Sequence, residues 1–468
     1  MIFSMTLWVP VLVSLIFNDG EVLTFLESQG LIFAVGFCIW LPTIKATKEL
    51  STQDGFLITA LFWLVLGVLG SVPFLVSNHI DISLVDAIFE SMSGLTTTGA
   101  TVITGLDYLP ESLLFYRQFL QWLGGIGIVV IAVAILPMLG VGGMQLYQAE
   151  TPGPVKDSKM KPRITETAKA LFTLYCSLTL VCAGSYWFAG MTPFDAICHA
   201  FSTIAIGGFS THDASMGYFQ NPAIWMLASA FMLIAGINFS LHYLVWHGRK
   251  MTPYFRDDET RFYVGMLVAF SLFIAGSLYV SSYYSVSNSV LHGIFQTISI
   301  GTTTGFATTN FSIWPTFIPM LLIMLSFMGG CAGSTGGGVK AVRALLMFRQ
   351  GRRELAQLVH PRAIIPLKLG AQRVPATVVS AVWSFVGIYI LALIGISLFL
   401  QGTGLDFLTA FSATAASLNN LGPGLGDVSA HYQNISSTAK LALCFAMLLG
   451  RLEVFTLLVL FTPTFWRR

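Results

Sequence analysis

The chain has 468 residues, 55% of them hydrophobic and only 10% charged, with a formal net charge of +2. A soluble domain carries about 25% charged residues, so this composition excludes one and leaves a membrane protein bathed in lipid. The net charge itself says little, because the charges are unevenly placed along the chain.

In chain order, ten apolar segments read as membrane spans; crossing about 30 Å of hydrocarbon takes about 20 residues of helix. They fall at approximately 4–17, 31–44, 55–76, 113–138, 165–190, 222–246, 262–283, 314–347, 376–400 and 438–463. The first two are short. Met1 to Phe17 lacks a basic n-region and a small-residue cleavage site, so it is expected to be a retained membrane segment. The six cysteines, Cys38, Cys176, Cys182, Cys198, Cys331 and Cys444, all lie in apolar stretches without CxxC spacing and read as packing residues.

Basic residues alternate with the spans. Lys45 and Lys48, then Lys156, Lys159, Lys161, Arg163 and Lys169, then Arg249, Lys250, Arg256 and Arg261 fall on one side. So do Arg343, Arg349, Arg352, Arg353, Arg362, Lys368, Arg373, Arg467 and Arg468. The opposite connections carry Asp19, Glu21, Glu27, Asp81, Asp107, Glu111 and Asp213. By the positive-inside rule the basic side, with both termini, is cytoplasmic.

Four further stretches lie between spans 3 and 4, 5 and 6, 7 and 8, and 9 and 10. Each is an apolar run of about a dozen residues followed by a glycine, too short to cross and suited to a re-entrant half-helix. The glycines are Gly99, Gly208, Gly305 and Gly422, about 100 to 120 residues apart. Upstream, Asp86-Ala-Ile-Phe-Glu90 matches Asp195-Ala-Ile-Cys-His199, and Gly293 to Gln296 and Thr409 to Ser412 are weaker copies. Downstream, Gly125, Gly236, Gly330 and Gly450 follow at similar intervals. The predicted fold is therefore an all-α polytopic membrane protein of ten transmembrane helices. Four pseudo-symmetric helix–pore loop–helix repeats would surround one pore, preceded by two N-terminal helices. The expected units are 1–50 for the extension, then 51–163, 164–260, 261–373 (with the glycine-rich loop) and 374–468 for the repeats.

Four such units would present a ring of backbone carbonyls, which is how a pore replaces the water around a potassium ion. Glycine suits the ring because successive carbonyls must aim at the ion through backbone angles that a residue with a Cβ adopts poorly. The expected ligands are Thr97, Thr98 and Gly99; Ile206, Gly207 and Gly208; Thr303, Thr304 and Gly305; and Asn420, Leu421 and Gly422. The hydroxyls of Thr96 to Thr98 and Thr302 to Thr304 would add oxygens at the inner end. Repeats two and four lack them, so the ring is only pseudo-fourfold.

Span 8 carries Gly329-Gly-Cys-Ala-Gly-Ser-Thr-Gly-Gly-Gly338. Each glycine costs about 1 kcal/mol in a helix interior, so the helix is expected to break here, just below the ring. Close packing of helices through small residues is the other reading. Gly333 to Lys340 imitates a phosphate-binding loop, but Val339 interrupts it, no Ser or Thr follows the lysine and no strand precedes it, so no nucleotide is expected on this chain. Four cations lie away from the basic loops. Arg451 is placed either against the glycine-rich segment or in an ion pair, with Glu453 or another helix. Lys340 is expected to anchor the segment's cytoplasmic end. Arg117 and Lys440 are expected to snorkel.

Several motifs resemble the TrkH family, the membrane subunits of bacterial Trk potassium uptake systems in the Trk/Ktr/HKT superfamily. They are residues 94–101, 205–215, 329–338, 418–426 and Gly450-Arg-Leu-Glu453. The resemblance spans nearly the whole chain and is weakest over residues 1–30. It implies a K⁺-selective pore in a bacterial inner membrane, a homodimer, and a cytosolic ring of nucleotide-binding TrkA subunits. It also implies a gate formed by Gly329, Gly330, Gly333, Ser334, Thr335, Gly336, Gly337 and Gly338, with Lys340 and Arg451 beside it. K⁺ is the transported ion, and no nucleic-acid partner or enzymatic activity is expected. A carrier coupled to H⁺ or Na⁺ is the rival to a channel; it would need titratable groups at a midplane site. Glu90 and His199 are the candidates, and both are expected to face protein.

Overall fold

The computed structural model describes residues 1–44, 52–130, 164–315, 317–370 and 372–466. Lipid offers no hydrogen bonds to a backbone, so an apolar chain satisfies itself as helix. Among the described residues the only strands are the two-residue pair Lys368–Leu369 and Gln372–Arg373.

Among the described residues, five helices are long and apolar enough to cross a membrane: Val22–Trp40, Gln53–Val76, Ala168–Phe188, Asp258–Val280 and Ala376–Gly402. No more than 33% of the apolar 18-residue stretch of any of these is buried, so their remaining apolar faces suit lipid. Two further candidate spans are bent, and counting each as one span brings the number to seven. The second expected span starts earlier than residue 31, at Val22. Span 4 is helical over Glu111–Val130, and its remainder lies outside the described residues, as do Lys45, Lys48, Lys156, Lys159, Lys161, Arg163, Arg467 and Arg468.

Spans 6 and 10 are not the straight crossings that hydropathy suggests. Pro222–Ala235 and Phe239–Gly248 meet at 95°, and Ser437–Arg451 and Phe455–Phe461 at 111°. At the first bend Asn238 caps the new helix by accepting from Ser240 N at 2.8 Å. At the second, Glu453 and Val454 both take left-handed angles, φ 53° and 51°, which no continuing helix allows. Span 8 is broken as expected, into Ile318–Ser326 and Ala341–Val359.

Four short helices stand between these elements: Leu84–Leu95, Pro193–Ala205, Val286–Gly301 and Phe407–Leu418. At 1.5 Å per residue the first, with 12 residues, extends about 18 Å and cannot cross. Each begins at a capping side chain, Ser83, Thr192, Ser285 or Asp406, that accepts a backbone N–H from its own first turn. One apolar core joins the N-terminal helices to the first and last short helices, through Phe25, Trp63, Phe89, Leu418 and Met447. The loop between the first two helices is also tied down. Asp19 accepts from Ser112 N at 2.8 Å and Glu21 from Ser77 Oγ at 2.7 Å.

Candidate functional site

Each short helix ends in a loop with the same backbone signature. Positive φ occurs at Thr97 and Gly99 (53° and 82°), Ile206 and Gly208 (55° and 78°), Thr303 and Gly305 (70° and 84°), and Asn420 and Gly422 (54° and 97°). The glycines also make the closest approach between loops. A Cβ on Gly99 would lie 2.1 Å from the oxygen of Gly207, and one on Gly208 would lie 2.0 Å from that of Thr304. One on Gly305 would lie 2.1 Å from Leu421 O, and one on Gly422 2.6 Å from Thr98 O. The contacts run in chain order and return from the fourth loop to the first. All four glycines border one vestibule of about 580 Å³.

Side chains behind the loops hold them in place. Glu90, His199 and Gln296 each precede their glycine by nine residues (99 − 90, 208 − 199, 305 − 296). Each bonds the chain just past its glycine. Glu90 accepts from Val102 N at 2.9 Å, His199 Nε2 meets Ser210 Oγ at 2.9 Å, and Gln296 accepts from Thr308 N at 3.3 Å. In the fourth loop Ser412 Oγ accepts from Leu425 N at 2.8 Å. Glu90 and His199 are fully buried in protein, as expected.

Arg117 and Lys440 do not snorkel. Arg117 is 1% exposed and donates through Nε to Glu90 at 2.8 Å, and through Nη1 to Ser210 O at 3.0 Å, joining the first loop to the second. Lys440 pairs with Asp86 at 2.6 Å, at the start of the first short helix. Their alkyl stems do not reach the surface because a carboxylate waits for each cation inside. Gln121 was not anticipated. It donates to Gly207 O at 2.6 Å and accepts from Phe209 N at 3.1 Å.

The inner threonine hydroxyls bond to the protein. Thr96 and Thr98 pair at 2.8 Å, Thr302 and Thr304 at 2.8 Å, and Asn420 Nδ2 donates to Thr98 Oγ1 at 3.0 Å. Thr303 Oγ1 accepts from Gly337 N at 2.8 Å.

That last bond comes from the glycine-rich segment, which lies against the bases of three loops. Thr335 Oγ1 donates to Ile204 O at 2.9 Å, and Gly338 N donates to Asn419 O at 3.0 Å. The segment also pairs with the bend in span 6, through Cys331 N to Gly236 O at 2.8 Å and Phe239 N to Gly333 O at 3.1 Å. Gly329, Gly333 and Gly338 have φ of 63°, 70° and 75°, so the run is not helical. Gly330 packs on Ser334, whose Oγ donates to Cys331 O at 2.6 Å, and Lys340 Nζ donates to Gly336 O. Arg451, 8% exposed, donates to Thr335 O at 3.2 Å. Of the two placements considered for Arg451, the one against the segment is observed. Glu453 instead pairs with Arg343 at 2.7 Å.

The family described as TrkH, cation transport protein, matches residues 24–468. The chain is 54% identical to the Trk system potassium uptake protein TrkH of Vibrio parahaemolyticus, covering 100% of this chain and 97% of that one. It is 52% identical to the TrkH of Escherichia coli K12 and 40% identical to the TrkG of the same organism, again over 100% of this chain. The crystal structure of the potassium transporter TrkH from Vibrio parahaemolyticus superposes with a TM-score of 0.92 at 51% identity, covering 100% of this chain and 97% of that one. The chain is a membrane protein of the TrkH family, a family of cation transporters and not of enzymes.

Proposed function

We propose that this chain is the membrane subunit of a potassium uptake system and conducts K⁺ through the ring of four glycine loops. The cyclic contact of Gly99, Gly208, Gly305 and Gly422 with the neighbouring loops' oxygens carries the reading. A ring of backbone carbonyls can replace a cation's hydration shell. The four short helices aim their C-terminal ends, with partial negative charge, at the ring. Each unit of helix, short helix, loop and helix is one repeat, with 1–50 as an extension.

The glycine-rich segment is the gate. It lies under the ring, bonded to the second, third and fourth loops, and Arg451 and Lys340 hold its backbone oxygens. The basic connections face the cytoplasm of a bacterial inner membrane, with both termini inside. The chain works as a homodimer, and a cytosolic nucleotide-binding ring controls it from the side bearing Arg352 and Arg353. Nucleotide acts on that partner and not on this chain.

The deciding experiment is K⁺ flux into proteoliposomes with voltage and pH gradient set independently. Conduction predicts flux that follows the K⁺ electrochemical gradient whatever the pH gradient. Flux that requires an imposed proton or Na⁺ gradient would instead establish a coupled carrier.

A further inference from the structure

Glu259 lies in the first turn of the helix Asp258–Val280, yet it is only 3% exposed. Its Oε1 accepts from Ala332 N at 2.7 Å and from Val342 N at 3.2 Å. These donors lie on either side of residues 333–340, so one carboxylate oxygen holds both flanks of the run beneath the glycine loops. The second donor belongs to the helix Ala341–Val359, whose own N-cap, Lys340, makes no capping bond through its side chain. The first N–H groups of a helix need partners from outside it. Glu259 provides one from another helix, and its negative charge suits a helix N-terminus. Hydrogen bonds to an ionised acceptor are about twice as strong as neutral ones.

The preceding residue faces the other way. Asp258 accepts from Gly370 N at 2.9 Å, in the small hairpin of Lys368–Leu369 and Gln372–Arg373, and pairs with Arg349 at 2.8 Å. Adjacent carboxylates on one helical turn thus hold the glycine-rich segment and the hairpin. A displacement of the hairpin has a short, bonded route to the segment.

We propose that Glu259 is the positioning residue that keeps the glycine-rich segment seated under the ring, by clamping both its flanks to the helix Asp258–Val280. The proposal rests on the reading of that segment as the gate. The test is basal Rb⁺ flux of the full chain in proteoliposomes, without any cytosolic partner. The variants are Glu259→Ala, Glu259→Gln and Glu259→Asp, with Arg451→Ala and a chain shortened within residues 330–338 as controls for the gate. Loss of the clamp is expected to raise flux by about tenfold or more in Glu259→Ala, which removes both hydrogen bonds to the carboxylate. Glu259→Gln keeps an oxygen acceptor but loses the charge, and is expected to fall between wild type and the alanine variant. Glu259→Asp, one methylene short, falls between and serves if the alanine variant does not fold. Wild-type flux in folded Glu259→Ala or, failing that, in Glu259→Asp, with raised flux in the gate controls, overturns the clamp and leaves the gate standing. A glutamine variant as leaky as alanine also overturns the clamp. Wild-type flux in both gate controls overturns the gate reading, and the clamp with it.

Discussion

Gly337 donates its backbone N–H to the hydroxyl of Thr303 at 2.8 Å, so the glycine-rich segment is bonded to the third glycine loop itself. While the segment is seated, that hydroxyl has a protein donor on one lone pair. If the segment is the gate proposed above, its departure frees that oxygen to face the pore, and opening is linked to the ion environment at the inner end of the ring through one side chain.

The Arg451 contact is the simplest way to disturb that arrangement. Its guanidinium meets Thr335 O, in the middle of the segment. We expect Arg451→Ala to raise basal Rb⁺ leak about tenfold, because a hydrogen bond involving a charged group is worth about 1.5–3 kcal/mol and ~1.4 kcal/mol is tenfold. Flux into proteoliposomes measures it. Equal or lower leak in the folded variant would take Arg451 out of the gate, and the same result in a chain shortened within residues 330–338 would make the segment a packing element.

The buried pair of Arg117 and Glu90 predicts a stability effect. Arg117→Ala leaves a fully buried carboxylate without its cation, a loss of about 3–5 kcal/mol for a broken buried pair. Replacing both residues with glutamine removes the charges together and is expected to cost less. Apparent unfolding temperatures in detergent, compared across Arg117→Gln, Glu90→Gln and the double change, test this. Additive losses would mean that the pair does not act as a unit.

Much of this arrangement could be read from the chain, for physical reasons. The four loops were visible because left-handed backbone at close approach selects glycine, and four copies in register are hard to obtain otherwise. The break in span 8 was visible because six glycines cannot remain helical. Hydropathy did not place the bends at Gly236 to Asn238 and at Leu452 to Val454, since an apolar run has the same composition straight or bent. It also misplaced Arg117 and Lys440, because their partners Glu90 and Asp86 lie far away in sequence. The nine-residue offset of Glu90, His199 and Gln296 from their glycines was a usable signal for the residues behind the ring. Gln121 and Glu259 carried no such signal.

At the vestibule, His212 joins the segments around the first two glycine loops. It bonds to Asp107, lies 3.4 Å from Asp195, and stacks on Tyr218 with ring centroids 3.4 Å apart. Burial disfavours the charged ring, but the hydrogen bonds to Asp195 and Asp107 outweigh it and hold the pKa above the usual 6.5. A raised pKa contributes stability that is fully present below 6.5 and is lost as pH rises through the folded value. Apparent unfolding temperature should therefore fall over that window in the wild type and fall less in His212→Gln. Identical pH profiles would show that folding does not shift the pKa of the ring.

The arginines of the helix Ala341–Val359 are not equivalent. Arg349 is held by Asp258 and by Lys368 O, whereas Arg352 is exposed and Arg353 meets only its neighbour Glu354 among the described acids. Neutralising Arg352 and Arg353 is expected to weaken binding of a cytosolic nucleotide-binding subunit and its resistance to salt, with basal flux unchanged. Neutralising Arg349 should also alter basal flux, because it loosens the hairpin beside Glu259. Co-purification over a salt series, paired with flux, separates the two effects. A complex that survives loss of all three arginines at high salt would place the docking surface elsewhere.

The central claim is that the four glycines line the ion path, and relative permeability tests it most directly. K⁺ and Na⁺ reversal potentials should be measured for Gly99→Ser and for single alanine changes at Gly208, Gly305 and Gly422. In each loop the new Cβ would strike the next loop's carbonyl oxygen within 2.6 Å or less, so the ring must shift to admit it. The account predicts that discrimination of K⁺ over Na⁺ weakens in every folded variant. Unchanged K⁺/Na⁺ ratios at all four positions would contradict it.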